Sequence, residues 1–291
     1  MKKTLLFALA SLITLCANAF TYGENVYEPW SVEQVEYCFP SNPIMVVGYY
    51  VNISDQAVTL VQCLNKDIKK AEIPSLALNE GNDYVVQYVM NSAFEECAEL
   101  SEVVIGDSLK ILPDLTFSSC PVKKLVWNAE NCVIETDYVL SIFLDDSPVT
   151  WRDLRLQFEQ VEDLIIGDNV KVLPNLFVAH SKISSVTIPK SVTSIYEFAF
   201  SGCFDLKSVH VQAQDPSLIE VAWRAFQETA DHCTLYVPRG TAERYRQADP
   251  WKEFQNIVEE GEEEQPPYDL NHDGQVDITD VSILIDYILG K

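Results

Sequence analysis

Residues 186–203, VTIPKSVTSIYEFAFSGC, recur in looser form upstream, as VVIGDSLKILPDLTFSSC over 103–120 and as LIIGDNVKVLPNLF over 164–177. Each copy holds a short apolar strand, a turn and a second apolar run, and adjacent copies lie roughly 22 to 23 residues apart, from Cys97 to Cys120 and from Leu164 to Val186. A period of that length predicts a solenoid of stacked coils, because one coil cannot bury its own apolar face. Such a stack presents an extended surface rather than a catalytic pocket.

Charge narrows the partners. With 44 acidic against 20 basic residues the formal net charge is -24, which repels phosphate backbones and anionic lipid and argues against nucleic acid as a ligand. Hydrophobic content of 47% supplies a continuous core. The start, MKKTLLFALASLITLCANAF, has a basic beginning, an apolar run from Leu5 to Leu15 and small residues at Ala17 and Ala19. This predicts a secretory signal over 1–19, cleaved after Ala19. The apolar run is shorter than the about 20 residues of a membrane span, and no second long apolar run follows, so export without a transmembrane segment is expected.

Residues 20–70 read as a β-rich cap, with a hairpin over 46–62 around Ser54-Asp55-Gln56. The coils are expected over 71–233, interrupted at 131–159 by either one enlarged coil or an insertion. Residues 234–258 form a strand, a turn at Pro238-Arg239-Gly240 and a helical stretch whose Tyr245, Trp251, Phe254 and Ile257 close the far end. Residues 259–267, EEGEEEQPP, form an acidic linker stiffened by Pro266 and Pro267. A last module occupies 268–291.

Eight cysteines fall into three groups. Cys16 leaves with the signal. Cys97, Cys120 and Cys203 hold one place in their repeats, as small buried side chains do. Cys38, Cys63, Cys132 and Cys233 lie outside that register, so any disulfide is sought among them.

The last module begins DLNHDGQVDITD, residues 269–280. Asp269, Asn271, Asp273, Asp277 and Asp280 place oxygen side chains at positions 1, 3, 5, 9 and 12 of a calcium loop, Gln275 offers its carbonyl at position 7, and Gly274 permits the sharp turn at position 6. A hard cation needs about six to eight oxygens with enough negative charge to offset its dehydration, which makes Ca2+ the expected cofactor. VSILIDYILGK supplies the exiting helix, while the Pro-rich linker replaces an entering one. A loop followed by a single helix, with Asp at position 12, resembles the dockerin type I repeat. That resemblance implies docking to cohesin domains, with Ile278 and Thr279 at the partner-selecting positions. Dockerins normally carry two such repeats. Here one is present, so Val281, Leu284 and Ile288 must be covered by the solenoid, a second copy of the chain or a partner.

The repeats resemble the BspA-like leucine-rich repeats of secreted and cell-surface bacterial proteins, over about 71–258. VTIPKSVTSIYEFAFSGC is close to that family's repeat, apart from Tyr196 where Gly is usual, and VKKLVWNAENC and TLYVPRGTAERYRQADPWKEF are similar to its middle and terminal segments. The expected fold is therefore a leucine-rich repeat solenoid with short β-strands, an N-terminal hairpin cap, a C-terminal strand-helix cap and a small EF-hand-like loop-helix module. The resemblance implies adhesion or another macromolecular interaction, and it brings no catalytic residues.

Four further features bear on function. Gly106-Asp107-Ser108-Leu109 spells the nucleophile block of GDSL hydrolases, but the same turn later reads Gly167-Asp168-Asn169-Val170, which serves a turn and no nucleophile. His180, His210, His232 and His272 are scattered and read as loop or surface residues. The sequon at Asn52-Ile53-Ser54 reads as turn chemistry. Of Trp127, Trp151 and Trp223, core packing is expected, with sugar stacking as the alternative. The expected function is a non-enzymatic, secreted or surface-exposed scaffold that binds a protein or glycan. The alternative is an accessory carbohydrate-binding subunit of a cohesin-dockerin assembly.

Overall fold

The structure is a computed structural model that describes residues 20–22, 25–29, 47–52, 57–63, 66–79, 82–135, 156–261, 270 and 278–289. The expected leader over 1–19, Cys38, Trp151 and most of the calcium loop lie outside the described residues.

At the N-terminal end β1 (Phe20–Tyr22), β2 (Asn25–Pro29), β3 (Val47–Asn52) and β4 (Ala57–Cys63) pair antiparallel in sequence. β3 and β4 make the expected hairpin. The coils begin at β5 (Lys70–Ile73), followed by β6 (Leu76–Asn79) and β7 (Asn82–Val89). From there each coil contributes one strand to each of two walls: β8 (Glu102–Ile105) with β9 (Ile111–Pro113), β10 (Lys124–Trp127) with β11 (Val133–Glu135), β12 (Asp163–Ile166) with β13 (Val172–Leu173), β14 (Ser185–Ile188) with β15 (Ser194–Ile195), and β16 (Ser208–Val211) with β17 (Glu220–Val221). β18 (Thr234–Pro238), the short helix α1 (Ala242–Gln247) and β19 (Asn256–Glu260) complete the stack, and α2 (Ile278–Leu289) follows.

The first wall runs β5-β8-β10-β12 and then β14-β16-β18-β19, every neighbouring pair parallel. The second runs β7-β9-β11 and then β13-β15-β17. β4 pairs parallel with β7, so the N-terminal hairpin extends the second wall. β10 and β12 are in register although Lys123 and Glu162, which flank them, are 39 residues apart. The ladder therefore runs on across the irregular stretch, of which residues 136–155 lie outside those described.

Alternation builds the core. From β5 to β18 the strands of the first wall alternate exposed or half-exposed residues with buried ones, so Ala71, Val103, Leu125, Leu164, Val186, Val209 and Leu235 all face inward. Behind them a column of rings threads the turns: Phe94 and Phe117 stack at 4.8 Å, Phe177 and Phe200 meet edge-on at 6.1 Å, and Phe200 stacks on Phe226 at 5.1 Å. Burying one such side chain stabilises by about 1.5–3 kcal/mol. The turns that carry the rings need left-handed backbone at Leu176, His180, Phe198, Gly202 and Glu228, and a glycine serves only one of these.

The repeat cysteines do more than fill space. The Cys120 thiol donates to the Phe94 carbonyl at 3.3 Å and the Cys203 thiol to the Val178 carbonyl at 3.2 Å, while Thr229, one coil on, donates to the Phe200 carbonyl at 2.7 Å. The position asks for a small hydrogen-bond donor, which a thiol or hydroxyl satisfies equally.

One open question is answered and one expectation is corrected. Cys63, Cys132 and Cys233 are buried, and no disulfide occurs among the described residues. The C-terminal cap also runs longer than 234–258. Its helix spans only six residues, and the chain returns as β19, parallel to β18, so Glu259 and Glu260 belong to the last rung and not to the linker. Glu259 accepts a hydrogen bond from the Ala242 N–H at 2.9 Å, capping α1. Tyr245, Trp251, Phe254 and Ile257 are buried as expected. The Tyr245 hydroxyl donates to the Ala213 carbonyl at 2.7 Å.

Candidate functional site

Parallel register lines up the outward residues of the first wall in two rows. One begins Lys70, Glu102, Lys124, Asp163 and continues in the second half as Ser185, Ser208, Thr234, Asn256. Its first part is ionic: Lys70 lies 2.8 Å and Lys124 3.9 Å from the Glu102 carboxylate. Its second part is neutral, with Ser208 donating to Ser185 at 2.8 Å and Asn256 to Thr234 at 2.8 Å. The other row reads Glu72, Val104, Val126, Ile165 and then Thr187, His210, Tyr236, Val258. Ile165 is 46% exposed, an apolar side chain offered to solvent in mid-sheet. The imidazole of His210 stacks on Tyr236 at 4.6 Å, with its Nδ1 2.8 Å from the Glu260 carboxylate. Partial burial pushes the Glu72 carboxyl above the usual carboxylate range, an effect that Lys70 partly offsets.

Where these strands end, the turns enclose a groove of about 280 Å³ lined by Glu72, Ser75, Asp107, Asn128, Asp168 and Asn169. Gly106 and Gly167 let each turn press on its neighbour. A Cβ on Gly106 would lie 2.6 Å from the Ile73 carbonyl oxygen, and one on Gly167 would lie 2.5 Å from the Asn128 side-chain oxygen. Ser108 settles the hydrolase motif. Its Oγ lies 2.9 Å from the Ser75 carbonyl and 2.8 Å from that of Val86, so its proton is committed to the backbone of the preceding coil. The motif is a structural turn.

The second wall leads into turns with a different surface. Asn175 and Glu197 lie side by side just past the ends of β13 and β15, and Trp223 lies just past the end of β17. The Asn175 side-chain oxygen accepts from the Glu197 N–H at 3.1 Å. Trp127 is fully buried, but Trp223 is 62% exposed, which corrects the expectation of core packing there. The Arg224 guanidinium lies over its ring, 4.3 Å from the centroid. Farther round, the exposed Phe204 sits between His180 and His232 of the neighbouring coils, with ring centroids 6.1 and 6.4 Å away. Desolvation holds His180 below the usual histidine range, with Glu228 and Glu159 opposing it. His272 lies outside the described residues. Sequence reasoning missed both the His210–Tyr236 pair and the exposed Trp223. Their signal is the repeat register, but the coil that carries Trp223 is lengthened, with Cys203 and Thr229 26 residues apart, which obscures the alignment.

Of the expected calcium ligands, Asp269, Asn271, Asp273, Gln275 and Asp277 lie outside the described residues. Asp280 opens α2 and is 3% exposed, its Oδ1 accepting from the Leu270 N–H at 2.6 Å. That contact joins positions 2 and 12 of the expected loop. The helix itself is largely bare: Val281, Leu284 and Ile288 are 47, 47 and 71% exposed. No described helix is long and apolar enough to cross a membrane, and among the described residues no group of three His, Cys, Asp or Glu side chains is placed to hold a metal ion.

The model of the family described as BspA type leucine rich repeat region matches six copies, over residues 68–141 and 157–247. Among solved structures, a leucine-rich repeat protein of T. pallidum is similar at 16% identity, with 70% of this chain and 89% of that one covered and a TM-score of 0.41. A leucine-rich repeat protein from Bacteroides ovatus is similar at 14% identity, with coverage of 76% and 77% and a TM-score of 0.27. A leucine rich cell surface protein from Faecalibacterium prausnitzii is similar at 12% identity, with coverage of 80% and 96% and a TM-score of 0.22. No curated protein matches.

Proposed function

Because this chain belongs to the family of BspA-type leucine-rich repeat proteins, we propose that it is an exported, non-enzymatic scaffold that binds a macromolecule through the outward faces of its coils. The observation that carries this reading is the row Val104, Val126, Ile165, apolar side chains set on the solvent side of a parallel ladder beside the ionic row Lys70, Glu102, Lys124. Exposed apolar patches with a polar margin mark interaction surfaces. The leader over 1–19 and the net charge of -24 support an extracellular, soluble setting. The test is to probe arrays of extracellular proteins and of glycans with the mature chain and its Ile165→Glu variant. Retention of a ligand by the former and its loss in the latter is expected. If neither array retains the mature chain at micromolar concentration, the scaffold reading falls.

A second module is read at 268–291, where the loop would bind Ca2+ and α2 would dock. Its support is the burial of Asp280 against Leu270, because a carboxylate at position 12 must turn into the loop to serve as a ligand. Asp269, Asn271, Asp273, Gln275 and Asp277 would complete the oxygen set. In a calorimetric titration the mature chain takes up calcium, and Asp269→Ala with Asp273→Ala abolishes uptake while leaving the melting of the solenoid unchanged. Mass measured with and without calcium then distinguishes self-association through α2 from a cohesin-type partner. A chain that takes up no calcium ends this part of the reading.

A further inference from the structure

The groove at the end of the first wall and the apolar row beside it share residues. Glu72 and Val104 stand in the row that continues to Val126 and Ile165, and both also line the groove, so the two form one surface. Backbone hydrogen bonds run from the Gly106, Asn128 and Gly167 N–H groups to the Ile73, Ile105 and Trp127 carbonyls, tying the lining turns of successive coils together. The groove holds the carboxylates of Glu72, Asp107 and Asp168 and the amides of Asn128 and Asn169, and neither lysine nor arginine lines it. Elsewhere on these coils acids hold lysines, as Glu102 does Lys70, Glu162 does Lys123 and Glu130 does Lys171. Among the described residues Glu72, Asp107 and Asp168 form no such salt bridge. A cation brought beside Glu72 would offset the desolvation that raises its carboxyl.

We propose that this surface binds an extended basic segment of a protein partner. An arginine or lysine side chain enters the groove among Glu72, Asp107 and Asp168, and apolar side chains on the same side of the segment lie on Val104, Val126 and Ile165. A metal ion is a poorer occupant, because among the described residues no group of three acidic or other metal-ligating side chains is placed to hold one. A volume of about 280 Å³ falls short of the about 300–1,000 Å³ of small-molecule pockets, and it suits a long side chain. The Ile165 side chain, 46% exposed, gives a free cation or a polyamine nothing to recognise, whereas a peptide can cover it. Charge complementarity sets the sign of the partner: the groove is acidic, and the net charge of -24 draws basic chains in and repels acidic ones. The proposal rests on the scaffold reading above and names a face and a partner chemistry for it.

An extended chain presents alternate side chains to one side, so the probe is a fluorescent peptide whose alternate residues read valine, valine, arginine, arginine, with serine between them. It is titrated into the mature chain at about 0.15 M salt, where exposed charges more than about 8 Å apart are largely screened, and binding is followed by anisotropy. Micromolar binding is expected. Asp107→Asn with Asp168→Asn weakens it tenfold or more, and Ile165→Ser weakens it severalfold. Glu220→Gln with Asp231→Asn removes the same charge from exposed positions outside the groove and changes binding less than twofold. This control separates a site from general attraction to an acidic protein. Asp107 and Asp168 are exposed, so their double variant melts as the parent does. A parent chain that does not bind the peptide overturns the proposal. So does equal weakening by the two double variants, or a peptide with serine for valine that binds as tightly. If ligands captured on the extracellular arrays and lost by Ile165→Glu are kept by Asp107→Asn with Asp168→Asn, the proposal also falls, while the scaffold reading stands without the groove.

Discussion

Thr229 shows how much a single hydroxyl does inside a stacked coil. It donates to the Phe200 carbonyl at 2.7 Å and accepts from the Cys203 N–H at 3.1 Å, fully buried. Thr229→Val keeps the shape and strands both backbone groups, so a loss of about 1–3 kcal/mol is expected for each unsatisfied group, measured by urea unfolding. The thiols of the same interior carry a pH signature. Desolvation pushes Cys120 and Cys203 up to about 11 and Cys233 up to about 12. Their protonated form is favoured by folding, so that stability is full below about pH 9, where the unfolded thiol is still protonated, and is lost as pH rises through 11–12. The urea midpoint is therefore expected to be flat below pH 9 and to fall above it, with a shallower fall in Cys203→Ser. The placing of Cys120 and Cys203 was legible from their recurrence, while that of Cys233 was not. Their donor role was not, because period reports burial and says nothing of which carbonyl lies above. Trp223 escaped for a related reason: one step along a turn carries a side chain from core to solvent.

The turns and the last strand argue at the next scale up. Gly106 and Gly167 hold equivalent places, yet an added methyl meets backbone at one and a side chain at the other. Gly106→Ala is expected to destabilise by about 1–3 kcal/mol. Gly167→Ala has less effect because Asn128 can rotate away, and thermal melts of the two variants make the comparison. In the cap, hydrogen bonds from the backbone N–H groups of Ala242 and Gly240 hold Glu259 below the usual carboxylate range. Its contribution is therefore present above the ordinary value and lost as pH falls through the lower one. Glu259→Gln should flatten the acid side of the stability profile, followed by melting from pH 7 to 3. β19 buries Ile257 among residues that are otherwise exposed. Glu259 and Glu260 open a run of acids and so read as linker in a sequence, and only the pairing with β18 makes them strand.

For the molecule as a whole, the coil period was enough to predict the solenoid. The order of its walls was not open to view, because pairing depends on how consecutive coils tilt. Among the described residues, the second wall breaks between β11 and β13, and the first between β12 and β14. The coil of β12 and β13 therefore belongs to the N-terminal ladder by one wall and to the C-terminal ladder by the other. Backbone contacts bridge both breaks, from Lys171 and Val172 to the Glu130 carbonyl and from Lys182 to that of Val161. A single cooperative unfolding transition is expected on this account, with intrinsic fluorescence and far-ultraviolet dichroism giving coincident curves. Two separated transitions would show that the halves melt alone. The offset of the breaks also bears on load. Courses of brick are staggered so that no crack can run straight through the mortar, and a rod jointed in this way has no plane along which it parts cheaply. A chain drawn taut between two anchored surfaces would have to tear a rung of sheet in one wall or the other to fail at its middle, so neither joint opens without breaking a ladder.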